Sequence, residues 1–279
     1  MRRLTALVSV LVLAGSLTAC SKHDAKNVYA CPNKGPSVGF KGVKSSKLTV
    51  ETALPAPGWW NGDDPSHMTG GFEFELAKDL CGQLGVGKVR IVNVDFDALQ
   101  AGKTKDFDLA LSQITVTAER AKKVDFSSGY FTSDQGIMVN KGTQVPTLAA
   151  AKKLKWGVQT GTTSETFLND RVKPDSAPKS FGQTTEMFTA LKAKQIDAVL
   201  LDTSIVLAQA PLQNADVVAQ FKTTEPYGAL LPKGSANLKL VNAALKTLND
   251  NGTIPALYQK WLVPVFKGDP KKVPYIDVP

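Results

Sequence analysis

Short apolar segments alternate with amphipathic segments along most of this chain, and this alternation restricts its fold more than any other feature of the sequence. Residues 48–52, 88–94 and 108–111 are short and apolar, whereas residues 73–84 place apolar side chains on one face of a helix. The alternation starts again after residue 135. It is typical of α/β domains with largely parallel sheets.

The second half of the chain carries the same two kinds of segment. We expect strands at 136–139, 155–159, 198–201 and 227–231, a short helix from Thr117, and helices from Thr162, over 184–193, over 238–248 and through Trp261. The tail from Gly268 contains three prolines and is expected to be an extended segment on the surface.

The first twenty residues have the features of an export signal. Two arginines precede an apolar stretch, residues 4–17, that is too short to span a bilayer comfortably. Leu-Thr-Ala-Cys at residues 17–20 resembles the lipobox of bacterial lipoproteins, in which the cysteine is acylated and becomes the mature N-terminus. The resemblance implies a signal peptide over 1–20 and a lipid on Cys20 that anchors the protein to the extracytoplasmic side of the cell membrane. The alternative is a signal peptide cut near Ala19, with Cys20 merely adjacent.

The region after the signal differs in composition from the rest of the chain. Residues 21–45 are polar and contain Pro32 and Pro36, which predicts a flexible leash. Without Arg2 and Arg3 the chain has 31 basic and 25 acidic side chains, so its net charge is +6, and the basic residues are scattered. Nucleic acid is therefore not expected as a partner.

Two cysteines and two histidines bear on disulfide and metal chemistry. Cys31 and Cys81 would lie in an oxidising compartment, which permits a disulfide, but Cys81 also fits the apolar stripe of its helix as a small buried residue. His23 and His67 have no metal-ligand spacing to each other or to the cysteines. No metal site and no cofactor are expected.

Arg120 is in an unusual position for a cation. Thr117 has the features of a helix N-cap, which places Arg120 in the first turn, where the backbone N–H groups already present positive charge. An arginine there needs a negative partner. That partner is either a bound anion or a neighbouring carboxylate such as Glu119 or Asp125.

A second position suited to an anion follows the strand at 155–159. Gly161-Thr162-Thr163 precedes Glu165, and the Thr-x-x-Glu spacing is that of a capping box at a helix start. The alternative is simply a well-capped surface helix. Asp202 follows the strand at 198–201, where open α/β sheets bind ligands, although it could also be a helix N-cap.

Several segments, in this order, resemble the amino-acid-binding members of the bacterial extracellular solute-binding proteins of family 3, the receptors of ABC importers. The resemblance runs from about residue 48 to residue 261. It rests on Gly71-Phe72-Glu73-Phe74-Glu75-Leu76-Ala77, on Thr115-Val116-Thr117-Ala118-Glu119-Arg120 with Val124-Asp125-Phe126-Ser127 and Tyr130, on Gly161-Thr162-Thr163, on Ile196-Asp197-Ala198 with Asp202, and on Asn251-Gly252-Thr253 with Lys260-Trp261.

The resemblance implies a role for each candidate site residue. Arg120 would form a bidentate pair with the α-carboxylate of a free amino acid, and the turn of Gly161, Thr162 and Thr163 would hold the same carboxylate from the opposite lobe. The α-ammonium group would bind Asp202. Thr115 and the backbone carbonyl of Gln113 would be further contacts.

The chain departs from the family pattern near its first strand. Many relatives carry an acidic residue there, whereas this chain has Ala53, so the first lobe lacks the acid that would bind the ammonium group in those relatives. The following loop contains Trp59 and Trp60, and one of them could stack on the ligand side chain. Trp59 is favoured because it is nearer the strand, although core packing is an equal alternative for either.

The resemblance implies a two-lobed type II periplasmic-binding-protein fold with a ligand cleft between lobes joined by two crossover segments. The expected boundaries are 46–132 plus 228–265 for lobe 1, 133–227 for lobe 2 and 266–279 for the tail, with the crossovers near residues 131–134 and 224–228.

We expect an extracytoplasmic monomer that binds a polar amino acid, glutamine- or glutamate-like, and delivers it to the permease subunits of an ABC importer without catalysis. The alternatives are a ligand-sensing lipoprotein and an enzyme similar to cyclohexadienyl dehydratase. The enzyme would need an acid or base such as Glu75 in the cleft.

Overall fold

The computed structural model describes residues 27–44 and 46–279, and it confirms the predicted α/β class. The strands are β1 (Val28–Ala30), β2 (Leu48–Thr52), β3 (Lys88–Asn93), β4 (Leu109–Ala110), β5 (Val124–Asn140), β6 (Trp156–Gln159), β7 (Lys179–Phe181), β8 (Ala198–Asp202) and β9 (Ala215–Pro232). The helices are α1 (Phe72–Gln83), α2 (Phe96–Gln100), α3 (Ala118–Ala121), α4 (Leu148–Lys152), α5 (Thr163–Phe167), α6 (Thr184–Lys192), α7 (Thr203–Gln213), α8 (Leu238–Asp250), α9 (Thr253–Leu257) and α10 (Val263–Phe266). Turns of π-helix over Leu168–Val172 and Tyr258–Leu262 extend α5 and α9, and a 3₁₀ turn covers Pro270–Lys272. The predicted signal segment and Cys20 lie outside the described residues.

One nine-stranded sheet, in the order β1-β3-β2-β4-β9-β5-β8-β6-β7, runs through both lobes. In lobe 1, β2 pairs in parallel with β3 and β4, and in lobe 2, β6 pairs in parallel with β7 and β8. The antiparallel pair β5 and β9 joins these two parallel sets. The carboxyl ends of the parallel strands in each lobe are therefore the places where ligand-binding side chains are expected.

β5 and β9 are much longer than the strands predicted at 136–139 and 227–231. They pair continuously from one lobe to the other, with register shifts near Gly129 and Ser133, and the predicted crossovers fall in the middle of this paired stretch. Their Gly, Ser and Thr residues interrupt the apolar pattern that marks a strand in the sequence. Backbone pairing decided the length of these strands, and pairing is not visible in local composition.

Each lobe has its own apolar core. In lobe 1, α1 and α8 pack on the sheet, and α8 buries Val241, Leu245 and Leu248 at helical spacing. In lobe 2, one cluster surrounds Trp156 and a second lies on the other face of the sheet around Met187. The cleft lies between these two packed bodies.

The leash prediction was wrong for the described part of residues 21–45. β1 pairs antiparallel to β3 at the edge of lobe 1, and Cys31 forms a disulfide with Cys81 of α1. The backbone N–H of Lys41 donates to Asn237 (3.1 Å), and the Asn237 side chain donates back to the Lys41 carbonyl (2.8 Å). Proline, glycine and polar residues resemble a linker in composition, but here backbone hydrogen bonds and a covalent bond fasten the segment to the lobe.

The C-terminal tail is extended, but part of it is buried. Ile276 packs into the core of lobe 2, and the backbone N–H groups of Gln220 and Ile276 donate to Pro274 and Gln220, respectively. α10 ends in lobe 1 with Phe266 buried there, so the tail runs from one lobe to the other. Within residues 27–44 and 46–279, no helix is long and apolar enough to cross a membrane.

Candidate functional site

The cleft between the lobes contains a cavity lined by seven of the eight residues predicted to bind the ligand. Gly161 does not line it, but its carbonyl accepts from Arg120 across the cleft (2.9 Å). Side chains from both lobes line this cavity, and they include Arg120, Thr115 and Trp59 from lobe 1 and Thr162, Thr163 and Asp202 from lobe 2. The lobes also touch across the cleft. Gly161 of lobe 2 lies so close to α2 of lobe 1 that a Cβ atom added to it would be only 2.9 Å from Asp97 Oδ1. The structure therefore has the lobes close together.

Arg120 lies inside the cleft and not on the surface. Thr117 is the N-cap of α3, and its hydroxyl accepts from the backbone N–H of Arg120 (3.2 Å). Because α3 is a single turn, Arg120 is in both its first and its last turn. The side chain is 7% exposed, and its guanidinium donates to the carbonyls of Thr115 (2.8 Å) and Gly161 (2.9 Å).

The carboxylate partners proposed as an alternative for Arg120 are engaged elsewhere. Glu119 pairs with Lys122 (2.6 Å), and Asp125 pairs with Lys233 (3.2 Å). Burial lowers the pKa of Arg120, and the negative charges of Asp202 and Glu225 oppose this effect. Among the described residues, the hydrogen-bond acceptors of this buried guanidinium are two neutral carbonyls. Its positive charge is therefore available to pair with an anion that enters the cleft.

The turn after β6 brings hydroxyl groups to the opposite wall of the cleft. Thr162 is the N-cap of α5 and accepts from the backbone N–H of Glu165 (3.2 Å). The Glu165 carboxylate in turn accepts from the N–H of Gly161 (2.9 Å), one residue before the cap. Gly161 has a φ of 78°, a conformation that favours glycine. The predicted capping interaction therefore shapes the turn that presents Thr163 to the cleft.

Asp202 lies at the end of β8 and is 5% exposed. It occupies the N-cap position of α7, but its side chain makes no capping hydrogen bond there. It accepts instead from the Gln135 amide (2.9 Å) and the Tyr227 hydroxyl (2.5 Å). The pKa of Asp202 is raised to about 7, first by burial and then by the charge of Glu225, while these hydrogen bonds and Arg120 lower it. A buried carboxylate of this kind is well suited to a cationic partner.

Gln113 and Thr115 lie on the segment between β4 and α3. Gln113 has a φ of 48°, and Glu73 accepts from both its backbone N–H (2.8 Å) and its side-chain amide. The Thr115 hydroxyl donates to Glu225 (2.9 Å). Both residues line the cleft cavity. Glu73 thus holds the backbone of Gln113 in its positive-φ conformation.

The two tryptophans of the first-lobe loop have different environments. Trp59 lines the cleft and packs edge-on against Phe131, with ring centroids 4.9 Å apart. Its indole nitrogen is buried without a hydrogen-bond partner among the described residues. Trp60 donates its indole N–H to Glu73 (2.8 Å) and does not line this cavity. Of the pair, Trp59 is the one that can contact a ligand.

The sequence did not single out three polar residues that are central to the site. Gln135 is fully buried and donates to Asp202 and Glu225. Glu225 accepts from hydroxyls of both lobes. Glu73 was quoted only as part of a motif. An isolated Gln or Glu in a long strand gives no sequence signal of its own, so the convergence is visible only in three dimensions.

Glu75, the residue considered for an enzymatic role, lies outside the cleft. Its carboxylate pairs with Lys78 of the same helix (2.9 Å) and does not line the cavity. In the described part of the chain, no group of three or more His, Cys, Asp and Glu residues is placed to hold a metal ion.

Comparisons with known proteins agree with this geometry. A family model described as bacterial extracellular solute-binding proteins, family 3, matches residues 48–264. The chain is 31% identical over 269 residues to the ABC transporter glutamine-binding protein GlnH of Bacillus subtilis (strain 168), which covers 93% of this chain and 95% of that protein. It is 31% identical over 208 residues to the L-cystine-binding protein TcyJ of Escherichia coli (strain K12), which covers 72% and 77%, respectively.

Solved structures are similar in fold as well as in sequence. An ancestral arginine-binding protein bound to glutamine superposes with a TM-score of 0.68 at 36% identity, covering 77% of this chain and 97% of that one. The solute receptor for L-cysteine of Neisseria gonorrhoeae superposes with a TM-score of 0.72 at 28% identity, covering 81% and 94%. The predicted two-lobed, type II periplasmic-binding-protein fold is confirmed.

Proposed function

Because the chain belongs to the bacterial extracellular solute-binding proteins of family 3, we propose that its cleft binds a free L-amino acid with a neutral polar side chain, similar to glutamine, and delivers it to an ABC importer. Curated relatives are amino-acid-binding proteins of ABC transporters, and like them this chain is a binding protein and not an enzyme.

One observation carries the proposal: a buried guanidinium from lobe 1 and a buried carboxylate from lobe 2 face the same cavity. Arg120 would form a fork with the α-carboxylate, in place of the two carbonyls to which it now donates. Asp202 would accept from the α-ammonium group. Since the two charges lie on opposite lobes, a zwitterion satisfies both only when the lobes are closed.

The rest of the cavity supports a neutral, polar side chain. Among the described residues that line it, Arg120 and Asp202 are the charged ones, and both are assigned to the ligand main chain. Gln159, Gln183 and Gln209 add amide groups. An additional charge on the ligand side chain would be buried without a counter-charge, which is costly, whereas an amide finds donors and acceptors here. Glutamine fits this lining better than glutamate or arginine.

Part of the wall contributed by lobe 1 is apolar. Trp59 lines it together with Phe96 of α2 and Leu54, and it is fixed by the edge-on contact with Phe131. Aromatic rings bury the aliphatic part of an amino-acid side chain well. Ala53, at the position where many relatives carry an acid, contributes no charge to this wall, so Asp202 is the proposed carboxylate for the ammonium group.

The binding proposal is tested with protein that lacks the first twenty residues. Melting temperatures are measured with each of the twenty amino acids, and the strongest ligands are titrated by calorimetry. A ligand that binds only the folded state at a thousandfold excess over Kd stabilises it by about 4 kcal/mol. Glutamine should give one of the largest shifts. The proposal fails if no amino acid raises the melting temperature, and its ligand preference fails if arginine or glutamate binds clearly better than glutamine.

We also propose that a lipid on Cys20 anchors the protein to the extracytoplasmic side of the membrane, and this proposal has a separate test. Cys20→Ser should release the protein from the membrane fraction, because a thioether-linked lipid needs the thiol, and it should leave the Kd for the amino acid unchanged. Fractionation followed by calorimetry measures both. Retention of the variant in the membrane fraction would remove the lipoprotein assignment.

A further inference from the structure

Glu225, on the β9 strand between the lobes, places its carboxylate inside the hydrogen-bond network of the cleft. It accepts from the hydroxyl of Thr115 in lobe 1 (2.9 Å) and from the hydroxyl of Thr163 in lobe 2 (2.5 Å). It also accepts from the Gln135 amide (2.9 Å). A single side chain of the protein therefore connects the two lobes through the cleft.

Two of these three partners are groups proposed to bind the ligand. A hydroxyl has one hydrogen to donate, so a threonine that donates to Glu225 cannot donate to a ligand at the same time. Thr163 belongs to the turn assigned to the ligand carboxylate, whereas Thr115 is assigned to the ligand ammonium group, from which its hydroxyl would accept. The Glu225 carboxylate thus competes for the Thr163 donor that an amino-acid carboxylate would use.

Gln135 fixes this arrangement. Its carbonyl oxygen accepts from the Ser164 hydroxyl (2.6 Å), so its amide nitrogen faces Asp202 and Glu225 and donates to both at 2.9 Å. Two carboxylates that meet at one nitrogen repel each other. The charge of Glu225 raises the pKa of Asp202 accordingly. Departure of Glu225 would relieve this repulsion and leave Asp202 free for an ammonium group.

We propose that Glu225 is a tethered carboxylate that holds the ligand-binding hydroxyls while the cleft is empty and that the amino acid displaces when it binds. This proposal rests on the proposed function. It makes Glu225 a determinant of affinity, since the ligand carboxylate must first break the contact between Glu225 and Thr163. A ligand that lacks an α-carboxylate cannot replace that contact and is selected against.

The surroundings of Glu225 allow such a displacement. The residue is only partly buried, its neighbours Thr224 and Pro226 are exposed, and Thr224 has a φ of 54°. A wide groove that opens to solvent adjoins Glu225 next to Lys222. The carboxylate can therefore turn from the cleft into water and is not left buried without a partner. Asp202, by contrast, is 5% exposed and faces only the cavity, so its carboxylate cannot turn into bulk water.

The test compares Glu225→Ala with the wild type and with Glu119→Ala. Glu119→Ala is a matched control because it removes the same charge from the lining of the same groove, but the Glu119 side chain is 82% exposed and bonded to Lys122. Calorimetric titration with L-glutamine, and with whichever of the twenty amino acids gives the largest melting shift, measures Kd. Small-angle X-ray scattering without ligand measures the separation of the lobes.

Glu225→Ala should lower Kd by about threefold to thirtyfold, because a competitor that blocks the binding-competent state weakens apparent affinity in proportion to its occupancy. The ligand-free variant should also show a larger radius of gyration than the wild type, whereas the ligand-bound proteins should be alike. Glu119→Ala should change neither quantity. A Glu225→Gln variant, which keeps an acceptor but loses the charge, should fall between the wild type and Glu225→Ala.

Other outcomes would overturn the proposal. A Kd that rises tenfold in Glu225→Ala would show that Glu225 holds the ligand directly, and unchanged Kd and scattering would show that it has no part in binding. Melting temperatures without ligand show whether each variant is folded, and Glu225→Gln decides the question if the alanine variant is not. If the wild type binds no amino acid, the proposed function fails, and the lobe-linking role is decided by the scattering of the ligand-free proteins.

Discussion

Two buried carboxylate clusters in this protein look similar but are connected differently. In the lobe-1 cluster, Glu73 is fully buried and accepts from Trp60, Gln113 and Tyr130. In the cleft cluster, Asp202 and Glu225 share the Gln135 amide, and Glu225 also accepts from Thr115 and Thr163. The partners of Glu73 belong to lobe 1 or to the part of β5 that adjoins it, whereas the cleft cluster joins both lobes.

The difference in connection implies a difference in role. When all donors come from one packed body, a buried carboxylate is satisfied in every state of the cleft, so it stabilises the fold and fixes the backbone beside it. When the donors come from two lobes that move relative to each other, all of these hydrogen bonds can form together only while the cleft is closed. Burial raises the pKa of Glu73 and of Asp202 alike, so pKa alone does not distinguish the two clusters.

The strongest test of this comparison is the removal of Glu73. Glu73→Ala leaves the buried donors of Gln113 and Tyr130 without their acceptor and leaves Trp60 only its longer bond to the Leu111 carbonyl (3.2 Å), and it should lower the free energy of unfolding by about 3 to 5 kcal/mol. Urea denaturation of the ligand-free protein measures the loss. Glu75→Ala, which removes a carboxylate of the same helix paired with Lys78, should cost less than about 1 kcal/mol. Equal losses in the two variants would contradict a structural role for the lobe-1 cluster.

Arg120→Ala should show the opposite pattern, with a large loss of binding and little loss of stability. Removal of the fork should weaken binding by about 2 to 5 kcal/mol, or roughly thirtyfold to several thousandfold in Kd. The ligand-free protein loses two hydrogen bonds to carbonyls but also a buried cation, so its melting temperature should change by only a few degrees. Lys122→Ala, which removes an exposed cation two residues further along the chain, is the control for charge. Normal binding by Arg120→Ala would show that the arginine is structural.

Asp202→Asn should weaken binding by about 1.4 to 3 kcal/mol, because the ammonium group then has a neutral partner. The pH dependence has a definite sign. The pKa of Asp202 is raised from 3.8 to about 7, so between about pH 4 and pH 7 the folded protein keeps a proton that the unfolded chain has lost.

As the pH rises through this range, ionisation of Asp202 lowers the free energy of unfolding of the ligand-free wild type. Asp202→Asn has no carboxyl to ionise, so its free energy of unfolding should rise relative to that of the wild type between pH 5 and pH 8. Urea denaturation at several pH values measures the difference. In the wild type, the affinity for the amino acid should fall as the pH drops below about 7, because the carboxyl must release its proton to receive the ammonium group. An affinity that does not change with pH would mean that Asp202 is ionised throughout.

The smallest effect on Kd is expected from an exposed hydrogen bond between the C-terminal tail and the crossover strand β5. Tyr275 of the tail donates its hydroxyl to Asp134 of β5 (2.7 Å), and the tyrosine is 43% exposed. Tyr275→Phe removes this hydrogen bond and keeps the ring, so Kd should rise by no more than about threefold, corresponding to less than about 0.7 kcal/mol. Calorimetry with the same amino acid measures it. A tenfold rise would show that a hydrogen bond at the hinge matters for binding even where water competes for it.

The elements that local patterns predicted well are the ones whose own side chains make the core. α1 and α8 were predicted within two residues at each end because their apolar stripes recur at helical spacing. α7 was not predicted, since its apolar residues lie all around the helix and leave no polar face to mark its orientation. β5 and β9 were predicted too short, because pairing across the hinge, and not composition, sets their length.

Half of the site could be located from the sequence and half could not. Thr117 and Thr162 each cap a helix as their spacing predicted, and these caps place Arg120 and Thr163 at the cleft. The partners of those side chains, Gln135 and Glu225, are separated from them in the chain and have no local signature. Their role follows from three-dimensional convergence at one point between the lobes.

By itself the sequence determined the α/β class, the capped helix starts and the possibility of a disulfide, because each depends on residue type and on neighbours a few positions away, and the residues proposed to meet an amino acid followed from its resemblance to the family. Only the tertiary structure decided that residues 28–30 form a strand of lobe 1, that Cys31 is bonded to Cys81, and that Glu225 lies between Thr115 and Thr163. Those contacts join residues 40 or more positions apart. Whether such residues meet depends on how the whole chain packs, and no local pattern records it.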